Sequence, residues 1–175
     1  MASTLDPPLG PGDHVDGPED APLELVMYGD FQCPYCVASQ SIIRRVRERL
    51  DGELRFAFRH MPLAVHPDAE NAAQASEAAA AQGAFWPMHD ELYGARGRLS
   101  LDDLAAHAAA VGLDGARVRQ EILDAVHAER VARDERSAVR AGVTGTPAFF
   151  VNGELHAGSF DAGSLVEALR AQPTG

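Results

Sequence analysis

Cys33-Pro34-Tyr35-Cys36 holds both cysteines of the chain, three positions apart, where a strand-like run gives way to a helix-like one. As a staple this pair is a poor choice. The loop it closes is so short that little chain entropy is removed, and a disulfide framework needs several pairs spread along the sequence. The spacing suits alternation between dithiol and disulfide, with two electrons passed to another molecule. Leu23-Glu24-Leu25-Val26-Met27-Tyr28 alternates as a strand and ends just ahead of Cys33, and a helix is expected from Pro34. Cys33 therefore falls at a helix N-terminus, whose unpaired N–H groups and partial positive charge favour thiolate, the reactive form. Cys36 lies one turn in, facing Cys33 and less open to solvent. That asymmetry makes Cys33 the expected nucleophile and Cys36 the resolving thiol. Pro34 suits the first helical turn, where its missing N–H would have had no partner.

A C-x-x-C pair can also be half of a zinc site, with seven histidines available as further ligands. No second C-x-x-C and no H-x-x-x-H accompanies it, so the redox reading is preferred and no metal is assigned. The 175 residues suit one domain of ordinary size, with 46% hydrophobic content and no stretch long enough to span a membrane. A net charge of −11 argues against nucleic acid and anionic lipid as partners. All fifteen basic residues are arginines, which excludes a catalytic lysine.

Along the chain, residues 1–20 are rich in Pro, Gly and Asp and read as a flexible leader, followed by a single domain over 21–175. With neither a basic nor an apolar signal region at the N-terminus, the expected compartment is cytoplasmic; a removed signal would make it periplasmic or extracellular. The helix after Pro34 places Ile42, Ile43, Val46 and Leu50 inward and its arginines outward, and Gly52 stops it. Leu54, Phe56 and Phe58 then alternate against Arg55, Ala57 and Arg59 as a second strand, completing a parallel βαβ unit with its active edge at the strand ends. His60 ends that strand on the same edge as Cys33. It reads as a core histidine satisfied by a backbone group, or as a residue tuning the thiolate.

From about residue 62 to 142 the pattern is helical. An Ala-rich helix is expected over Pro67–Gln82, and a short one carries Phe85, Met88 and Leu92. A capping-box start lies at Ser100 to Asp103, and one long helix opens at Asp114, with Val118, Ile122, Leu123 and Val126 inward and Glu129–Arg133 and Arg130–Asp134 pairs on an exposed far end. Trp86 and Met88 read as packing residues, and His66, His89, His107, His127 and His156 as solvated or locally bonded. Ala148 to Val151 and Glu154 to Ala157 flank Asn152-Gly153, a two-residue hairpin turn, and Asp161 caps a last helix.

Gly145-Thr146-Pro147 stands directly before that hairpin. Together with the upstream C-x-x-C it resembles the thioredoxin superfamily. Gly29 to Cys36, Arg59-His60-Met61-Pro62-Leu63 and Gly145 to Gly153, with the long helical segment between them, are similar to the bacterial DsbA-like thiol–disulfide oxidoreductases. The resemblance covers about His14 to Arg170. It implies an α/β, thioredoxin-like fold with a helical insertion between the βαβ unit and the strand hairpin. It also implies a cis Pro147 beside the reactive pair, and a Thr146 whose backbone holds extended substrate. No bound cofactor is implied beyond the redox-active Cys33–Cys36 disulfide, and the partners would be protein thiols and disulfides or small thiols. Strongly oxidising members carry histidine between the cysteines, whereas Tyr35 brings no charge to the thiolate. A less oxidising pair is therefore expected, with Pro34 and Tyr35 as weaker modulators. Two other functions fit the same residues: a glutathione-dependent reductase of glutaredoxin type, and a non-enzymatic metal-binding or redox-sensing module. Nothing in the sequence sets an oligomeric state.

Overall fold

The central strand is β2 (Leu23–Gly29), and Leu25 to Tyr28 have no solvent exposure at all. That continuous burial, rather than one-sided alternation, marks a strand covered on both faces. In the computed structural model, which describes residues 3–171, it is the middle of a five-stranded sheet of order β1-β3-β2-β4-β5. Its neighbours are β3 (Leu54–His60) and β4 (Ala148–Val151), with β1 (His14–Asp16) and β5 (Glu154–Leu155) at the edges. β4 runs antiparallel to β2 with Met27 opposite Phe149, and β1 runs antiparallel to β3 with Val15 opposite Ala57. In the β4–β5 hairpin Val151 pairs with Glu154, leaving Asn152 and Gly153 as a two-residue turn with φ of 48° and 85°. Positive φ at both positions is what this turn type requires, hence Asn-Gly.

The crossover from β2 to β3 is α1 (Pro34–Arg49). Its buried positions are Cys36, Ser39, Ile43 and Val46, continued by Leu50 just past its end at spacings of 3, 4, 3 and 4, while Ile42 is half-buried. The remaining helices are α2 (Ala69–Ala81), α3 (Phe85–Tyr93), α4 (Leu101–Ala110), α5 (Gly115–Leu123), α6 (Ala128–Arg140) and α7 (Ala162–Ala171). Five of them, α2 to α6, lie between β3 and β4, as expected of a helical insertion. Ser100 caps α4 through the expected capping box with Asp103. No helix among the described residues is long and apolar enough to cross a membrane.

The chain divides into two compact units. One holds the chain up to Gly29, Ala38–Arg59 and everything from Arg136 onward, and so carries nearly all of the sheet, most of α1, and α7. The other holds Asp30–Val37 and His60–Glu135, the turn with both cysteines together with the helices of the insertion. Its core is the small-residue face of α2, where Ala72, Ala75, Ala78 and Ala79 are completely buried as α2 packs on α3 and α5.

Two expectations are corrected, and one buried charge adds to them. The flexible leader is structured: Leu5 is buried, Leu5 N–H donates to the Gly153 carbonyl, and β1 adds a strand beside β3. Gly17 permits that close approach, since at its φ of 114° a Cβ would lie 2.1 Å from the Leu54 carbonyl oxygen. Arg59, which alternates with Phe58 on β3, is buried too. Its side chain is 2% exposed and forks onto Asp13 through Nε and Nη2 at 2.9 and 3.0 Å, while Nη1 donates to the Tyr28 hydroxyl at 3.1 Å. Burial works against its charge, but the hydrogen bonds to Asp13 and Tyr28 outweigh it and hold the guanidinium above its ordinary value. Lastly, the long helix from Asp114 is two helices. Ala125 takes a φ of 52° between α5 and α6, leaving Leu123 and Val126 exposed, and Asp134 of the far end is buried rather than on a solvated face.

Because an unpaired buried charge is far worse than a buried pair, Asp13→Ala should cost about 3–5 kcal/mol of unfolding free energy. Denaturant titration of the variant against the parent protein measures it, and replacing Asp13 and Arg59 together by apolar residues should lose much less.

Candidate active site

Cys33 is the residue immediately before α1, and its carbonyl accepts the first helical hydrogen bond, from Val37 N–H at 3.0 Å. It is the N-cap residue. Cys36 follows on the buried stripe of the helix, whereas Pro34 and Tyr35 fall on its outer side, with Tyr35 70% exposed. The two sulfurs are not joined in a disulfide, and the residue exposures are 2% for Cys33 and 0% for Cys36.

The turn carrying Cys33 is held by Asp30, which is 1% exposed. One carboxylate oxygen accepts the backbone N–H groups of Gln32 at 2.7 Å and Cys33 at 3.1 Å. The other accepts Leu63 N–H at 2.9 Å and lies 2.6 Å from His66 Nδ1. Gln32 is fixed in turn against Asp68, the residue ahead of α2, by a pair of side-chain amide bonds at 2.8 and 3.2 Å. Phe31 fills the space beneath, its ring centroid 4.8 Å from Tyr93, 5.8 Å from His89 and 6.1 Å from His60.

His60 is fully buried. Its Nε2 lies 2.7 Å from Glu77 Oε1, and its backbone N–H donates to Asp134 at 3.0 Å. Arg130 closes the group with a 2.7 Å bond to Asp134 and a 3.9 Å approach to Glu77. Met88 and Phe85 are buried, consistent with packing, and Trp86 stacks edge-on to Phe85 at 5.0 Å. Of the remaining histidines, His107 bonds Glu91 and the Arg98 carbonyl, His127 bonds Glu121, and His156 bonds the Ser159 carbonyl.

Thr146 and Pro147 precede β4, and the peptide bond between them is cis. They line a cavity of about 300 Å³ whose walls include Val143, Phe149, His156 and Phe160.

Sequence reasoning did not pick out Asp30, His66 or Tyr93. For Asp30 a signal was present: an aspartate two and three residues ahead of the N–H groups it binds is an Asx-type cap, the D-x-x-C pattern. His66 and Tyr93 reach Asp30 and Phe31 over more than thirty residues, and no local pattern encodes such pairs.

Residues 24–170 match the DSBA-like thioredoxin domain family. Among solved structures, oxidised BdbD from Bacillus subtilis superposes with a TM-score of 0.88 at 21% identity over 97% of both chains. A thioredoxin-like oxidoreductase from Silicibacter pomeroyi DSS-3 gives 0.82 at 25% identity, over 93% of this chain and 92% of that one. α-DsbA1 of Wolbachia pipientis gives 0.81 at 21% identity, over 98% and 95%. In sequence, the chain is 45% identical over 163 residues to Na(+)/H(+) antiporter NhaA 1 of Salinispora arenicola, covering 93% of this chain and 24% of that protein. Na(+)/H(+) antiporter NhaA of Herminiimonas arsenicoxydans is 42% identical over 176 residues, covering 100% and 28%. The chain thus spans about a quarter of the length of the curated relatives it matches.

Asp30→Ala leaves the backbone donors of Gln32 and Leu63 without their carboxylate, while Cys33 N–H keeps the Asp30 carbonyl at 3.2 Å. At about 1–3 kcal/mol for each donor so stranded, a loss of about 2 kcal/mol or more is expected in denaturant unfolding. Asp30→Asn keeps a carbonyl acceptor and should lose less.

Proposed function

We propose that this chain, which belongs to the DSBA-like thioredoxin domain family, exchanges disulfides with thiols through Cys33 and Cys36. The observation that carries the reading is the placement of the chain's only two cysteines, one at the N-cap of α1 and the other one turn in on its buried stripe. A helix N-terminus stabilises negative charge where Cys33 must bear it, and Cys36 is withheld from outside reagents. In the oxidising direction a substrate thiolate attacks Cys33 Sγ of the Cys33–Cys36 disulfide. The S–S bond breaks, and its electron pair goes to Cys36. A second substrate thiolate then attacks the substrate sulfur, and Cys33 leaves as thiolate. Reduction of a substrate disulfide is the reverse. The two sulfurs store both electrons, so no bound cofactor enters.

In this reading Thr146 and cis Pro147 hold an extended segment of the substrate through backbone groups, a role implied by the family. Pro34 and Tyr35 face solvent, where an incoming thiol would meet them. The long helical insertion supports this over a glutaredoxin-type reductase. Metal analysis of the purified protein, with and without reductant, separates it from a metal-binding module.

Cys36→Ser should accumulate mixed disulfides between Cys33 and its partners, and Cys33→Ser should abolish dithiol exchange. Non-reducing gels and intact mass of trapped species report both. If Cys33→Ser is the variant that traps, the roles are reversed.

A second reading is favoured by the antiporter relatives: the thiol exchange serves a sodium–proton antiporter. A Cys36→Ser trap applied to membranes should then yield an antiporter peptide disulfide-linked to Cys33, and a trap that returns only other proteins removes this reading.

A further inference from the structure

His66, in the loop between β3 and α2, is a titratable group that the exchange steps above do not use. Its Nδ1 lies 2.6 Å from Asp30 Oδ2, while Asp30 Oδ1 accepts the Cys33 N–H at 3.1 Å. A single carboxylate therefore separates the imidazole from the residue that reacts. Among the described residues, His66 is the one side-chain partner of Asp30. The Asp30 side chain has no solvent exposure, whereas 21% of the His66 side chain is exposed. The carboxylate is closed to solvent protons, and the ring is open to them. A buried negative charge at the start of α1 works against the helix N-terminus, because it disfavours a second negative charge on Cys33. A protonated imidazole on that carboxylate offsets it.

We propose that His66 is a positioning residue for the exchange, which holds Asp30 on the cysteine turn and, by taking up a proton, offsets the carboxylate charge behind the Cys33 thiolate. The inference rests on the exchange reading above. With the ring neutral, His66 and Asp30 together carry one negative charge. With a further proton on Nε2 they carry none. Thiolate at Cys33 and a proton on His66 then favour one another, and the two groups titrate as a coupled pair. Imidazole is the side chain that changes charge between about pH 5 and 8, so the coupling acts in the range where thiols exchange. Other titratable groups face the same turn. Cys36 follows on α1, Asp68 bonds Gln32 ahead of α2, and His60, His89 and Tyr93 surround the Phe31 ring at 6.1, 5.8 and 4.8 Å. Glu77, Asp134 and Arg130 lie beyond His60. The side chains of His60 and His89 are 0% and 3% exposed, and each lies against a different carboxylate, Glu77 or Asp90. Tyr93 stays neutral, because burial first, then the charges of Cys36, Asp30 and Cys33, push its phenol well above its ordinary range.

In a Cys36→Ser background, where Cys33 is the one thiol, the His66 ring is titrated by NMR with and without the further change Cys33→Ser. The ring midpoint should be higher with Cys33 present. The coupling is reciprocal, so His66→Asn in the same background should raise the midpoint for alkylation of Cys33, slowing alkylation about tenfold at pH values below it. Asparagine keeps a side-chain N–H for Asp30 and takes up no further proton, so a role limited to bracing the turn would leave the Cys33 midpoint at its parent value. A ring midpoint indifferent to Cys33, or an unchanged Cys33 midpoint in His66→Asn, overturns the assignment. The ring titration needs no change at His66, so it decides the question even if the asparagine variant does not fold. Neither readout uses a substrate: a protein that shows the coupling but exchanges no disulfide sinks the exchange reading alone.

Discussion

The cysteine turn depends on one buried carboxylate. Burying an ion costs several kcal/mol unless hydrogen bonds replace its water, and Asp30 is supplied with three backbone N–H groups and the His66 ring. Those donors come from the turn after β2 and from the loop after β3. One side chain therefore fixes both the start of α1 and the loop beyond His60. Gln32 and Phe31, the two residues between Asp30 and Cys33, then tie the turn to the Asp68 end of α2 and to the aromatic face of α3. In the proposed exchange the pair would pass between bonded and unbonded states, and this network is a frame that fixes its turn meanwhile.

The asymmetry between the cysteines is a matter of helical phase. Cys36 begins a 3-4-3-4 run of buried positions through Ser39, Ile43, Val46 and Leu50, so that sulfur falls on the buried stripe of α1. Cys33 precedes the helix as its cap and is itself only 2% exposed, whereas Tyr35 falls on the exposed side. Shifting Cys36 by a single residue would bring the second sulfur to the outer face and remove its enclosure. The spacing of the motif is thus set by helix geometry as much as by sulfur chemistry.

Much of this was legible in the sequence because it is local. The strand before Cys33, the helix after it, the Ser100 capping box and the Asn152-Gly153 turn follow from short-range rules, and the observed elements match them. What was illegible depends on pairing at a distance. Alternation left the surroundings of Arg59 open, since period two cannot distinguish solvent from a buried Asp13 forty-six residues away. Composition made a leader of the segment that supplies that Asp13 and an edge strand, because Pro, Gly and Asp serve turns as readily as disorder. Helical periodicity ran through Leu123 and Val126, where a left-handed Ala125 breaks the helix without any Gly or Pro to announce it. Asp30 alone among the unnoticed site residues had a local signature; His66 and Tyr93 had none.

The central claim is that Cys33 and Cys36 form a reversible two-electron couple. Equilibration of the protein with glutathione buffers, followed by mass or by a reporter of the bonded state, measures it directly. With Tyr35 lending no charge between the cysteines, a single two-electron transition is predicted below the ~−120 mV of strongly oxidising DsbA and nearer the ~−200 to −230 mV of glutaredoxins. A potential at the strongly oxidising end would contradict the argument from Tyr35, and no two-electron transition at any glutathione ratio would contradict the account as a whole.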